Sequence, residues 1–173
     1  HGLVRRTAGY PVPVLFAVHG QCLGGALETA TAGHLIFAAP DAQFGQPEIK
    51  LGVFAPAASC ILPERIGRMA AEDLLISGRS IPAENAHAIG LVAAIAADPE
   101  GAALAYFDHH LAPRSASSLR YAIAAARGDF CRRLDELLDQ VERIYLDDLM
   151  ATHDAVEGIS AFIAKRPAKW KNR

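Results

Sequence analysis

The sequence has few aromatic residues and no strong excess of charge of either sign. Aromatic residues make up 7% of the 173 positions, and 17 Lys and Arg against 19 Asp and Glu give a formal net charge of −2. Nucleic-acid surfaces need a basic excess to neutralise phosphates, and single-strand binding also uses aromatic stacking platforms. Anionic membrane surfaces likewise attract basic proteins. We therefore expect neither a nucleic acid nor a membrane as a partner.

Cysteine is also scarce, and long hydrophobic runs are missing. The three cysteines, Cys22, Cys60 and Cys131, are widely spaced and form no CxxC pattern, so we expect no disulfide framework and no metal site. This usage favours a reducing, cytoplasmic compartment. Apolar runs end at Gly, Pro or a charge before they reach the length of a membrane span. No apolar segment follows the basic residues near His1, so a signal peptide is not expected.

What is present is apolar sequence with clear periodicity. Hydrophobic residues make up 51% of the chain, enough to build a core. The runs 12–18 and 35–39 predict buried strands around a helix at 26–32, which is a strand–helix–strand unit. A short extended piece is expected within 42–52 and a last strand at 91–95. Helices are predicted at 56–66 (disturbed by Pro63), 68–76 and 82–89.

Beyond residue 99 only helical patterns remain. Helices are predicted at 100–111, 115–126, 130–150 and 155–165, and the third carries an apolar stripe from Leu134 to Leu149. We therefore divide the chain into an α/β part, residues 1–97, and a helical part, residues 98–173. The stripe predicts packing, either within the subunit or against a partner.

The first candidate for chemistry is the Gly24-Gly25-Ala26-Leu27-Glu28 segment, which lies at a strand-to-helix turn. Free N–H groups at a helix N-terminus favour negative charge, so the Gly25 amide suits an oxyanion hole. Glu28 projects from the same helical face, where it could hold a water or move a proton. The alternative interpretation is a capping box, with Gly25 as N-cap and Glu28 as its acidic partner.

The second candidate is Glu48, which follows the turn Phe44-Gly45-Gln46-Pro47. Two carboxylates that converge on one water raise each other's proton affinity, which leaves one of them available as an acid. The alternative interpretation is an ordinary solvated acid on a turn.

Together these segments carry a family resemblance. Residues 14–28 (VLFAVHGQCLGGALE), 44–49 (FGQPEI), 65–67 (RIG) and 157–162 (EGISAF) resemble the crotonase (enoyl-CoA hydratase/isomerase) superfamily. The glutamates are 20 positions apart, as in the hydratases of that family. The resemblance implies an α/β fold of the crotonase-like β-β-α superhelix type (the ClpP/crotonase fold), followed by a C-terminal helical region used for oligomerisation.

The resemblance also implies roles for particular residues. Gly25 would donate one oxyanion N–H to the carbonyl of an acyl-CoA thioester, and Gly24 would lie against the substrate. Glu28 and Glu48 would share the reacting water, with Glu48 as the proton-donating acid and Glu28 orienting the water, although the residues alone allow these roles to be exchanged.

Further implications concern partners. Phe162 and Lys165 match C-terminal positions that touch CoA in some members of the family, usually across a subunit boundary. Members usually form homotrimers or dimers of trimers. Acyl-CoA would be the substrate, so no cofactor is expected.

Within the superfamily, residues 21–25 and 52–67 resemble the cyclohexa-1,5-diene-1-carbonyl-CoA hydratases of anaerobic benzoyl-CoA degradation. Those lyases add water to a conjugated cyclic diene. Two departures accompany the resemblance: Ala26 replaces a common glycine, and the N-terminal portion of the family fold, which supplies the other oxyanion N–H, has no counterpart in the sequence. Three alternatives therefore stay open: a 2-enoyl-CoA hydratase, an isomerase or hydrolase of the superfamily, and a truncated non-catalytic oligomerising module.

Overall fold

The computed structural model describes residues 1–173, which form six short strands and eight α-helices. The strands are β1 Leu15–Val18, β2 Gln21–Leu23, β3 Leu35–Ala38, β4 Gln43–Gly45, β5 Ser80–Pro82 and β6 Ala94–Ile95. The helices are α1 Gly2–Ala8, α2 Gly25–Ala32, α3 Pro56–Ile66, α4 Arg68–Ser77, α5 Ala83–Ala88, α6 Pro99–Tyr106, α7 Ala116–Arg143 and α8 His153–Ile163.

The strands form two small sheets. In the first, of order β1-β3-β6, all neighbours are parallel, and the register pairs Leu15 with Leu35 and Val18 with Ala38. In the second, of order β2-β4-β5, β2 and β4 are parallel and β5 is antiparallel. The predicted strand–helix–strand unit is therefore confirmed as β1, α2 and β3. Strands β2 and β5 were not predicted as separate elements, because three residues carry too little periodicity.

Two clusters of buried apolar side chains hold these layers together. The larger contains 18 residues around the sheets, among them Leu27, Ile36 and Phe44, none of which exposes any surface. The smaller joins α1, α2, α3 and α7 through Val4, Ala8, Ala32, Ala57, Cys60, Ile61, Leu134 and Leu138. The helical part therefore packs directly on the α/β part. The boundary near residue 97 follows the last strand, and as a domain division it stays a prediction.

Three helix predictions need correction. The helices expected at 115–126 and 130–150 are one helix, α7, which continues as a π-helical turn at Ile144–Asp148 and a 3-10 turn at Leu149–Ala151. An interior glycine such as Gly128 costs only about 0.5–1 kcal/mol relative to alanine, and burial of Leu134 and Leu138 opposes that cost. The expected helix at 100–111 is α6 followed by a π-helical turn at Phe107–Leu111.

Helix α3 is not interrupted at Pro63. It runs unbroken from Pro56 to Ile66, and Ile61 and Leu62 before the proline expose 1% and none of their surface. Burial of these side chains opposes the loss of one backbone hydrogen bond at the proline. No helix is both long and apolar enough to span a membrane.

Candidate active site

The turn between β2 and α2 presents free backbone amides. Gly24 has φ 57° and ψ −129°, and its N–H donates to the carbonyl of Gly45 at 3.0 Å, which fixes the end of β2 to β4. Helix α2 begins at Gly25, whose N–H has no acceptor within the helix. Gly25 is exposed, and a Cβ atom on it would meet nothing within 4 Å, so the space beside this residue is open.

Glu28 is held by a second helix rather than by the end of its own. Its Oε1 accepts the backbone N–H of Ala58 at 2.9 Å, in the first turn of α3. The N-cap of α2 is Gly24, which has no side chain to complete a capping box. The capping-box interpretation is therefore wrong. The carboxylate instead joins the start of α3 to the middle of α2.

Glu48 lies in a 3-10 helix at Pro47–Leu51 and is half-buried. With its amide nitrogen turned toward Glu48, the buried Gln46 side chain donates to the carboxylate at 3.0 and 3.3 Å. The same carboxylate passes so close to Gly24 that a Cβ there would lie 2.6 Å from Oε1. Glu48 is thus enclosed by specific neighbours, and the interpretation as a solvated turn acid is wrong.

The surroundings of Glu48 favour its protonated form. Burial is the largest influence and raises the pKa of the Glu48 carboxyl; its own backbone amide opposes this, and the negative charge of Glu28 adds to the increase. A raised pKa suits a group that donates a proton at neutral pH.

The structure brings Glu28 and Glu48 together in one cavity of about 320 Å³. The other lining residues are His1, Phe54, Ala55, Pro56, Glu142, Tyr145 and Leu146. Gly24 borders the site through its contact with Glu48, and Gly25 begins the helix that carries Glu28. This is a volume in the range of small-molecule sites, and besides Glu28 and Glu48 its lining contains the titratable side chains of His1, Glu142 and Tyr145.

Sequence reasoning missed the residues that line this cavity beside the two glutamates, and it also missed Gln46. Gln46 stands in the segment that was singled out for Glu48, so its position next to a candidate acid was the available signal. Tyr145 belongs to the apolar stripe that was interpreted as packing, and Phe54 carried no separate signal.

Phe162 and Lys165 do not line this cavity. Phe162 is 65% exposed and Lys165 is exposed, just beyond the end of α8. Helix α8 itself packs on the 3-10 helix that carries Glu48, since a Cβ on Gly158 would lie 2.0 Å from the carbonyl oxygen of Leu51. The expected contact of Phe162 and Lys165 with CoA bound to an adjoining subunit stays a prediction.

The model of the enoyl-CoA hydratase/isomerase family matches residues 2–173. A cyclohexa-1,5-dienecarbonyl-CoA hydratase of Thauera aromatica is 62% identical over 173 residues, which are 100% of this chain and 67% of that protein. The chain thus spans about two thirds of the length of this relative.

Solved structures agree with the sequence comparison. An enoyl-CoA hydratase of Mycobacterium avium subsp. paratuberculosis K-10 superposes with a TM-score of 0.84 at 28% identity, covering 98% of this chain and 69% of that one. A carnitinyl-CoA hydratase of Mycobacterium avium gives a TM-score of 0.86 at 30% identity, covering 94% of this chain and 64% of that one. The similarity therefore extends over both the α/β part and the C-terminal helices.

Proposed function

The chain belongs to the enoyl-CoA hydratase/isomerase family, and from this premise we propose that it serves as a lyase that adds water to a cyclic, conjugated dienoyl-CoA thioester. The observation that carries the proposal is the placement of Glu28 and Glu48 in one cavity beside the Gly24-Gly25 turn. The 62% identity to a cyclohexa-1,5-dienecarbonyl-CoA hydratase supports the cyclic diene over a linear enoyl chain.

The proposed reaction begins at the thioester carbonyl. Its oxygen accepts the N–H of Gly25 at the N-terminus of α2, where the helix dipole favours the negative charge that develops as the enolate forms. One such donor is worth about 10²–10³ in rate. The backbone amide supplies this bond without reorganising, because β2 and β4 fix the turn.

The two carboxylates then orient the water and transfer its protons. Glu28, held by the Ala58 amide, orients the water toward the ring carbon β to the thioester carbonyl, which is one end of the diene, so that the oxygen adds there and the electron pair passes into the enolate. The proton is delivered to the other end of the diene, which makes this a 1,4-addition. The water transfers one proton to the carboxylate pair, and the enolate takes one proton from it, so the pair returns to its starting state. Glu48 is the donor, since its surroundings raise its pKa. General acid–base catalysis of this kind contributes about 10²–10⁴ in rate.

The proposal is tested on the native protein by following the loss of diene absorbance. Glu28→Gln and Glu48→Gln should each lower kcat by at least ~10², and the double variant should lose much less than the product of the two losses, because the carboxylates act as a unit. Glu72→Gln, on the exposed face of α4, is the control and should keep full activity. Near-original turnover in either single variant would exclude the proposed chemistry.

We also propose that the protein assembles as a homotrimer or a dimer of trimers. Apolar side chains are exposed along the C-terminal helices, at Leu137, Ile144, Leu146, Val156, Phe162 and Ile163. The N-terminal end of the stripe, Leu134 and Leu138, is buried within the chain and does not contribute to this surface. Sedimentation velocity should show a trimer or a multiple of it, whereas a monomer at micromolar concentration contradicts the proposal.

A further inference from the structure

Two aromatic side chains share the cavity of the carboxylates and take no part in proton transfer. Phe54 and Tyr145 both line it, with ring centroids 5.4 Å apart and planes at 73°, an edge-to-face pair. At this separation the rings touch each other, so no third ring fits between them. A ligand in the cavity therefore packs against the surface that the pair presents together.

The position of Phe54 is tied to both carboxylates. The 3-10 helix of Glu48 ends at Gly52, in a left-handed conformation with φ 73°, and α3 begins at Pro56. Between them, the neighbours of Phe54, Val53 and Ala55, are 5% and 4% exposed and hold the segment in the core. Since α3 also binds Glu28 through Ala58, the segment that carries Phe54 is held in place relative to both acids.

Tyr145 reaches the cavity from a part of the chain that is distant in sequence. Helix α7 is held against α1 and α3 by the buried Leu134 and Leu138. Past Arg143 it widens into the π-helical turn Ile144–Asp148, which carries Tyr145. Such turns are frequent at functional sites, because one extra residue in a turn redirects the side chains that follow.

We propose that Phe54 and Tyr145 determine substrate specificity, by forming an aromatic wall against which the flat, conjugated six-membered ring of the acyl group packs. This inference rests on the proposed function. A planar ring offers a face and an edge to an aromatic pair, and both arrangements are favourable. A linear four-carbon enoyl chain has no ring face to offer, so it gains less from the same wall.

The test compares two substrates on each protein variant. The quantity measured is the ratio of kcat/KM for cyclohexa-1,5-diene-1-carbonyl-CoA to kcat/KM for crotonyl-CoA. Phe54→Leu and Tyr145→Leu keep an apolar side chain but remove the ring, and each should lower the ratio by about 2- to 13-fold, the value of one aromatic contact. Because both substrates are assayed on one preparation, a loss of folded protein cancels from the ratio.

Matched controls separate the ring from its surroundings. Tyr145→Phe keeps the ring and should keep the ratio. Tyr121→Leu makes the same change on α7 at a side chain that is 79% exposed and outside the cavity, and it should also leave the ratio unchanged.

The outcomes distinguish a failure of the aromatic wall from a failure of the proposed function. If the native protein favours the cyclic diene and both leucine variants retain its ratio, the aromatic wall is wrong and the proposed function stands. If the native protein hydrates neither thioester, the proposed function fails and the wall fails with it. A fall in the ratio for the two leucine variants, with Tyr145→Phe and Tyr121→Leu unchanged, supports the proposal.

Discussion

Replacing Gly24 by alanine should disable the site through a single methyl group. The new Cβ would lie 2.6 Å from Oε1 of Glu48, and ordinary contacts begin at 3.4 Å, so the carboxylate has to move by about 0.8 Å. Rotating the Glu48 side chain away takes it out of its favoured rotamer, which costs about 0.5–1.5 kcal/mol for a change of about 30°. Misplacement of a catalytic group by about 1 Å costs about 10²-fold in rate. We therefore expect kcat for hydration to fall by about 10²-fold.

A second effect of the same substitution is backbone strain, which has to be separated from the first. Gly24 has φ 57°, a conformation that costs a residue with a side chain about 1–3 kcal/mol. Gly20 has the same φ of 57°, and a Cβ there would meet nothing within 4 Å. Gly20→Ala is therefore the matched control, which introduces the strain without the contact with Glu48.

The assay is diene hydration by the native protein and both variants, together with urea denaturation of each. Both variants should lose about 1–3 kcal/mol of unfolding free energy, and only Gly24→Ala should lose kcat. Equal kcat in the two variants would refute the claim that the approach of Gly24 to Glu48 positions the acid.

Two further predictions concern stability. The folded state raises the pKa of Glu48, so this group contributes stability below its unfolded value of about 4.5 and loses that contribution as the pH rises through the folded value. In denaturation curves, the unfolding free energy of Glu48→Gln should therefore increase relative to that of the original protein as the pH rises above about 4.5, and a constant difference would contradict the burial effect. Gly158→Ala should destabilise the protein, since its Cβ would lie 2.0 Å from the Leu51 carbonyl oxygen. Gly128→Ala, with nothing within 4 Å, should stabilise α7 by about 0.5–1 kcal/mol, and equal thermal shifts in the two variants would contradict the close packing of α8.

Local signals in the sequence determined a large part of this protein. The short apolar runs 12–18 and 35–39, separated by glycines and a helical stretch, were sufficient to predict β1, α2 and β3, because side-chain periodicity and glycine turns act over a few residues. The motifs around Glu28 and Glu48 were sufficient to identify the family and to predict that the two carboxylates lie together, since their residue types and their spacing of 20 positions are specific.

Other features were decided only by tertiary structure. Periodicity predicted two helices, 115–126 and 130–150, whereas packing of Leu134 and Leu138 on α1 and α3 accompanies one continuous helix, α7. The sequence placed Glu28 at a helix start, where a capping box was possible, but the amide that binds its carboxylate belongs to Ala58, 30 residues away. In the sequence, Tyr145 is one of several residues of an apolar stripe. In the structure, it lies in the π-helical turn and contacts Phe54. In each case the deciding contact joins segments that are distant in the chain. Local sequence patterns do not determine which distant surface a side chain contacts.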